Sequence, residues 1–201
     1  QNGTEQTDLP KDYMIIEGDI QVPLDYFEMQ ASGVDGTYRT NLWTNGVVPY
    51  EFDNNVTPAN QTLARSAMAL WQQAATVTFQ QCPNNVCTGN FIHIQNSTVN
   101  NSSIGMVSGR QVINIVSWNF PFIIAHELGH ALGYWHEQNR SDRDSFIQVN
   151  YQNVCKATDA SCSGGFCFDN NNNRIDCDFN FALRSDGGEY GPYDFESVMH
   201  Y

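Results

Sequence analysis

Four residues in one short run have the types and spacing to hold a metal ion and activate water: His126, Glu127, His130 and His136, in HELGHALGYWH. On a helix, residues i and i+4 project from one face one turn apart, so the imidazoles of His126 and His130 can share an ion. Glu127 stands next to the first histidine and can reach a water in an open coordination position. Gly133 supplies a backbone free to take positive φ, which a sharp reversal needs, and His136 then arrives as a third ligand. Three protein ligands plus water is the count of a catalytic zinc site. Glu127 is placed to take the water's proton during attack and hand it to a leaving amine. H-E-x-x-H alone occurs in ordinary helices, but Gly133 and His136 at this spacing make coincidence improbable. His93 and His200 have no ligand spacing, and His93 falls in a strand pattern where a hydrogen-bonded or packed histidine is expected.

The elements that must position this run follow from periodicity and caps. A helix over 121–132 carries His126 to His130 and stops at Gly133. A first helix starts at Thr57-Pro58, an N-cap followed by proline at the first helical position, and ends near Ala75. Leu63, Ala67, Leu70, Trp71 and Ala74 share its apolar face. Residues 47–52, 77–81, 91–95 and 111–116 read as strands, and the Asn/Ser-rich stretch 96–103 as a loop. Residues 1–11 are polar and expected to fray, 13–20 form an apolar-acidic stretch, and 32–37 read as an exposed, cleavable linker. Beyond Arg143 the pattern is irregular, with no internal repeat. A few strands with two helices give an α+β fold.

Composition bounds the partners. The chain has 201 residues, 41% of them hydrophobic, and a formal net charge of −13. That size and apolar content support one domain with a real core, with or without a short appendage. The charge argues against nucleic acid and anionic membrane surfaces, and no apolar run is long enough to span a bilayer. Six cysteines, with Cys155, Cys162, Cys167 and Cys177 crowded together, read as disulfide staples of unreadable connectivity. They lack the paired C-x2-C spacing of a zinc module. Oxidised pairs imply a secreted protein, and a start at Gln1 would suit removal of a signal peptide. Asp169, Asn171, Asn173, Asp176 and Asp178 offer hard oxygen ligands, so calcium is conceivable; the spacing is not that of an EF-hand, and a polar surface loop is preferred. Sequons stand at Asn2, Asn55, Asn60, Asn96, Asn100, Asn101 and Asn139.

The longer run HELGHALGYWHEQNRSDRD, residues 126–144, resembles the astacin family of metzincins. The match continues through Glu137, Gln138, Arg140, Asp142, Arg143 and Asp144, through the Ser197-Val198-Met199-His200-Tyr201 Met-turn, and through NLW and GVVPY near residues 41–50 and IQVNYQNV at 147–154. The resemblance implies a metzincin-like catalytic domain with a twisted mixed sheet and two main helices. It implies one zinc ion on His126, His130 and His136, Glu127 as general base, and Met199 as an apolar floor that does not bind the metal. It further implies Tyr201 as a fifth ligand that swings out to serve the oxyanion. Ile-Glu-Gly-Asp-Ile at 16–20 resembles the family's pro-segment motif, without its phenylalanine, and implies that Asp19 caps the zinc of a latent precursor. Residues 1–38 would then be a pro-segment and 39–201 the catalytic domain. Activation by another protease or by self-processing would cut between about Ala31 and Arg39, and the new amino terminus would pair with Glu137. The pattern departs from the family in three ways. The chain stops directly after the Met-turn, without the usual C-terminal subdomain. Ser102, Ser103 and the surroundings of Trp118 carry no cysteine, leaving Cys82 and Cys87 to close a small local loop. The insert at 155–177 has no counterpart in the family pattern.

The expected activity is hydrolysis of extended polypeptide bound as an added strand along a sheet edge near 103–110. Two rivals are a non-catalytic zinc-bound binding module, against which Glu127 argues, and a zinc hydrolase of non-peptide substrates. Oligomeric state and natural substrate are not legible.

Overall fold

The computed structural model describes residues 12–23, 42–156, 166–168, 174–184 and 191–200. Its centre is a mixed seven-stranded sheet in the order β1-β2-β6-β7-β5-β3-β4. The strands are β1 (Tyr13–Ile16), β2 (Ile20–Pro23), β3 (Val47–Phe52), β4 (Thr78–Gln81), β5 (Phe91–Asn96), β6 (Asn101–Ser103) and β7 (Arg110–Ile115). β3 pairs in parallel with β4 and β5, and β5 with β7; β6 runs antiparallel to β7. Two helices pack against one face, α1 (Pro58–Ala74) and α2 (Pro121–Leu132). A short hairpin, β8 (Phe166–Phe168) with β9 (Arg174–Asp176), lies outside the sheet. The α+β expectation holds.

Alternation along the strands builds the core. Val48, Tyr50, Phe52, Ile92, Ile94, Ile113 and Ile115 turn toward the helices and are buried. α1 begins as its sequence predicts, with the Thr57 hydroxyl accepting from the Asn60 N–H and proline in the first turn. Its buried face is rotated from the expected one: Ala64, Ala67 and Met68 are buried, Leu63 and Trp71 partly so, while Leu70 and Ala74 are exposed. The elements that pack opposite α1 select this face over one that would bury Leu70. α2 is buried at every position from Ile124 to Leu132, as expected of a helix with neighbours on all sides.

One feature of the chain adds to the sequence expectations and another departs from them. The apolar-acidic stretch 13–20 opens a hairpin whose β2 pairs in parallel with β6, Ile20 opposite Ser102 and Gln21 opposite Ser103. Residues 101–103 are not loop but strand, although they read Asn-Ser-Ser and are all buried. The physical reason is that their polar side chains are satisfied across the sheet. Gln95 donates to Asn114 (2.7 Å), Asn114 to Asn101 (2.8 Å), and Gln21 to the same Asn101 oxygen (2.5 Å), an amide relay across four strands. Burial of Asn101 and of Asn139 leaves no room for a glycan on either sequon in this fold.

Cys82 and Cys87 form the local disulfide expected of them, and Cys155 and Cys177 are also disulfide-bonded. The frayed stretch 1–11, the linker 32–37, Cys162, and the oxygen ligands Asp169, Asn171 and Asn173 lie outside the described residues. Among those described, no helix is long and apolar enough to cross a membrane.

Candidate metal centre

α2 presents His126, Glu127 and His130, all buried, on the side turned away from its apolar contacts. Indole N–H groups fix the helix from two directions: Trp71 donates to the Ala125 carbonyl and Trp43 to the Ala131 carbonyl, each at 2.7 Å. Met199 packs beneath it so closely that a Cβ on Gly129 would stand 2.4 Å from the Met199 sulfur and 2.9 Å from Trp71. Gly133 ends the helix at φ +107°, its N–H returning to the Gly129 and His130 carbonyls. The reversal brings His136 back beside the two helical histidines.

The three rings meet at their Nε2 atoms, with His126 3.0 Å from His130 and 3.1 Å from His136. Asp19, from the β1–β2 turn, adds its carboxylate at 3.1 Å from His126, 3.2 Å from His136 and 3.5 Å from His130. The outer nitrogens are all engaged. His126 Nδ1 donates to the Val198 carbonyl and His130 Nδ1 to the Tyr134 carbonyl, both at 2.8 Å. His136 Nδ1 donates to Glu17 Oε2 at 3.0 Å. Carbonyls and carboxylates only accept, so each Nδ1 carries a proton, and a ring in its neutral form turns its Nε2 lone pair inward. Three such lone pairs at about van der Waals contact repel one another unless a cation lies among them. Imidazole nitrogen with one carboxylate is a donor set that suits zinc, and among the described residues Asp19, His126, His130 and His136 form the one group able to hold a metal.

Protonation without metal follows the same geometry. Burial pushes His130 down to about 4, aided by the neighbouring His126. For His136 burial opposes the charge too, but Asp19 and Glu17 overcome it and raise the ring to about 9. For Asp19, burial is likewise outweighed, here by the imidazoles, and its carboxyl is held well below the ordinary range. Glu127 is raised well above it, first by burial and then by the charge on Asp19. Its Oε2 is buried with no hydrogen-bond partner among the described residues, the condition of a group kept for a guest.

The run after the third histidine is architectural. Arg143 is fully buried, donating to the Gln138 carbonyl at 2.7 Å and the Tyr151 hydroxyl at 3.0 Å, while Arg140 pairs with Asp142 at 2.9 Å. Glu137 accepts from the Asp194 N–H at 3.0 Å and from Arg140 at 3.3 Å, and its own N–H reaches the Met199 carbonyl at 2.8 Å. His200 is turned to the Tyr193 hydroxyl, 2.7 Å away, and takes no part in the cluster. Tyr201 lies outside the described residues.

A family model described as Astacin, a peptidase family, matches residues 35–201. The chain belongs to the astacin family. It is 27% identical over 197 residues to high choriolytic enzyme 2 of Oryzias latipes, covering 94% of this chain and 61% of that protein. It is 31% identical over 173 residues to human tolloid-like protein 2, covering 82% of this chain and 15% of that protein. The solved structure of high choriolytic enzyme 1 of Oryzias latipes, described as a hatching enzyme zinc-protease, superposes with a TM-score of 0.60 at 28% identity, covering 80% of this chain and 71% of that one. This astacin chain thus spans less than two thirds of the length of the choriolytic enzymes, 61% and 63%. Astacins are zinc peptidases, and the inward-facing histidine cluster is the feature on which family and geometry agree.

Sequence reasoning missed two side chains at this centre. Glu17 is wholly buried, and its carboxylate is shared between His136 and Arg184. Arg184 reaches Glu17 through Nε at 2.7 Å and through a second contact from Nη2, and its guanidinium lies 4.3 Å from the Trp135 ring centroid. The signal for Glu17 was present in the Glu-Gly-Asp turn itself; nothing in the spacing pointed to Arg184.

Proposed function

We propose that this chain is the latent form of a secreted zinc endopeptidase, with residues 1–38 as its pro-segment and 39–201 as its catalytic domain. The observation that carries the reading is the Asp19 carboxylate among the three histidine Nε2 atoms, at 3.1 to 3.5 Å. His126, His130 and His136 would hold the zinc ion, with the Asp19 carboxylate beside them where it would keep water from the metal. A family match beginning at residue 35 supports the division of the chain. Disulfides support an oxidising, extracellular destination.

The hairpin also takes the sheet edge. β2 lies along β6, the strand an extended polypeptide would join, so substrate and pro-segment compete for the same backbone groups. The strand that β2 covers is Asn101–Ser103, next to the stretch 103–110 read from sequence. After cleavage between about Ala31 and Arg39, by another protease or by the chain itself, the hairpin leaves and the edge opens. A bound zinc ion supplies Lewis acidity to the scissile carbonyl and to water. Glu127, buried and raised in pKa, accepts the proton of the attacking water and delivers it to the leaving amine. Tyr201 is the proposed hydrogen-bond donor to the oxyanion. Glu137, now held by Arg140 and the Asp194 N–H, is the proposed partner of the new amino terminus. Calcium has no part in this reading.

Casein hydrolysis by the zinc-loaded chain tests it, comparing unprocessed chain, trypsin-treated chain and Asp19→Ala, each with and without chelator. The unprocessed chain should be silent, with chelator-sensitive activity appearing after trypsin and in Asp19→Ala. Equal activity of the unprocessed chain and Asp19→Ala would sink latency. No chelator-sensitive activity under any condition would make the chain a non-catalytic zinc-bound module.

A further inference from the structure

The turn that carries Asp19 also reaches the far side of the same imidazole. Asp19 stands 3.2 Å from His136 Nε2, and Glu17, two residues earlier, stands 3.0 Å from His136 Nδ1. One three-residue connection, Glu17-Gly18-Asp19, therefore grips both nitrogens of one histidine. The grip is built in at a cost to the backbone. Glu17 sits at φ +52°, a conformation a non-glycine residue rarely takes, and Gly18 at φ +91° lets the turn close in three residues. The carboxylate so placed is wholly buried and lies between two cationic or proton-donating partners, His136 and Arg184. Arg184 is itself tied down, with its N–H on the Asn139 carbonyl at 2.6 Å and its guanidinium over Trp135, the residue before His136.

The other two histidines have their Nδ1 protons on backbone carbonyls of 39–201, the proposed catalytic part. His136 has its proton on a carboxylate of the pro-segment. A carboxylate behind an imidazole raises the ring's basicity and fixes its orientation, and loss of such an outer partner costs metal sites roughly 10–100-fold in affinity. We infer that Glu17 is a positioning residue for the metal: through His136 it makes the latent chain hold zinc more tightly than the processed chain does. The pro-segment then does two things with one turn, filling the open position with Asp19 and tightening the third ligand with Glu17. This rests on the latent reading above, since it needs the hairpin docked.

The test uses the full unprocessed chain and its Glu17→Gln and Glu17→Asp variants. Zinc affinity is read by competition with a chromophoric chelator at neutral pH. Docking of the hairpin is read separately from hydrogen exchange of the Ser102 amide, which donates to the Asp19 carbonyl at 3.0 Å. The expected result is a loss of zinc affinity by roughly 10–100-fold in Glu17→Gln with Ser102 still protected, and partial recovery in Glu17→Asp. Affinity within about twofold of the unsubstituted chain, with Ser102 protected, overturns the assignment of Glu17 and leaves the latent reading standing. A freely exchanging Ser102 amide in the unsubstituted chain overturns both. Should the variants not fold, imidazole nitrogen spectra of the unsubstituted zinc-loaded chain decide the matter. A slowly exchanging His136 Nδ1–H signal, lost on trypsin processing, supports the inference; its absence before processing overturns it.

Discussion

Histidine and carboxylate meet on both faces of the sheet, to different ends. On the face away from the helices, His93 of β5 lies between Glu51 of β3 and Asp53 just beyond that strand, with Nδ1 2.8 Å from Glu51 and Nε2 3.2 Å from Asp53. Both ring nitrogens are spent on carboxylates that lie on opposite sides of the ring. Glu51 is further occupied by the Cys87 N–H at 2.8 Å, and Asp53 is held below the ordinary carboxylate range by the Asn55 N–H and by His93. At the helical site each imidazole spends one nitrogen outward and turns the other toward a shared point. Residue chemistry is similar in the two places, although the sheet cluster is more open, with the Asp53 side chain 36% exposed. What separates a structural ion-pair cluster from a metal centre is the direction of the second nitrogen, and that is set by what the first one touches.

Substitution within the histidine cluster has the largest expected effect. His130→Ala should lower zinc affinity by more than the roughly 100-fold that loss of an outer partner costs, whereas His93→Ala should leave affinity and stoichiometry unchanged; chelator competition on both variants measures this. Next in size is Glu127→Gln in trypsin-processed chain, which should cut casein hydrolysis by roughly 10²–10⁴-fold while zinc content stays at the unsubstituted level. The same change at Glu51 should leave hydrolysis intact. A third arm concerns the platform under the metal. Gly129→Ala forces a Cβ against Met199 and Trp71 and should cost about 1–3 kcal/mol, read from the denaturant midpoint of the metal-free chain. The smallest effect belongs to the sheet cluster. His93→Gln, which keeps a hydrogen-bonding side chain there, should cost about 1 kcal/mol in the same measurement and nothing in zinc binding.

Legibility divides the molecule along the same lines. The Thr57 cap, the span of α2 and the left-handed Gly133 were readable because caps, helical period and positive φ are local properties of a few residues. The buried face of α1 was misjudged because Leu70 fits the apolar period as well as Met68 does, and the choice between them is made by what packs opposite. Strand β6 was unreadable as a strand. Asn-Ser-Ser has weak strand preference, and it is buried only because Gln21, Asn114 and the edge of β7 satisfy it. His93 was correctly kept out of the metal site, though its two carboxylate partners could not be named from the chain.

By itself, then, the sequence determined the histidine run proposed to bind zinc, its helix and its turn, because i, i+4 geometry and a glycine at the helix end need nothing from the rest of the molecule. Asp19 was legible only through the resemblance carried by its motif, and tertiary structure alone decided Glu17 and Arg184. Asp19 meets His126 across 107 positions, Glu17 meets His136 across 119, and Arg184 meets Glu17 across 167. No period or spacing encodes contacts at such separations. They exist because β2 finds the open edge of β6, and that pairing swings one tight turn over the three clustered histidines.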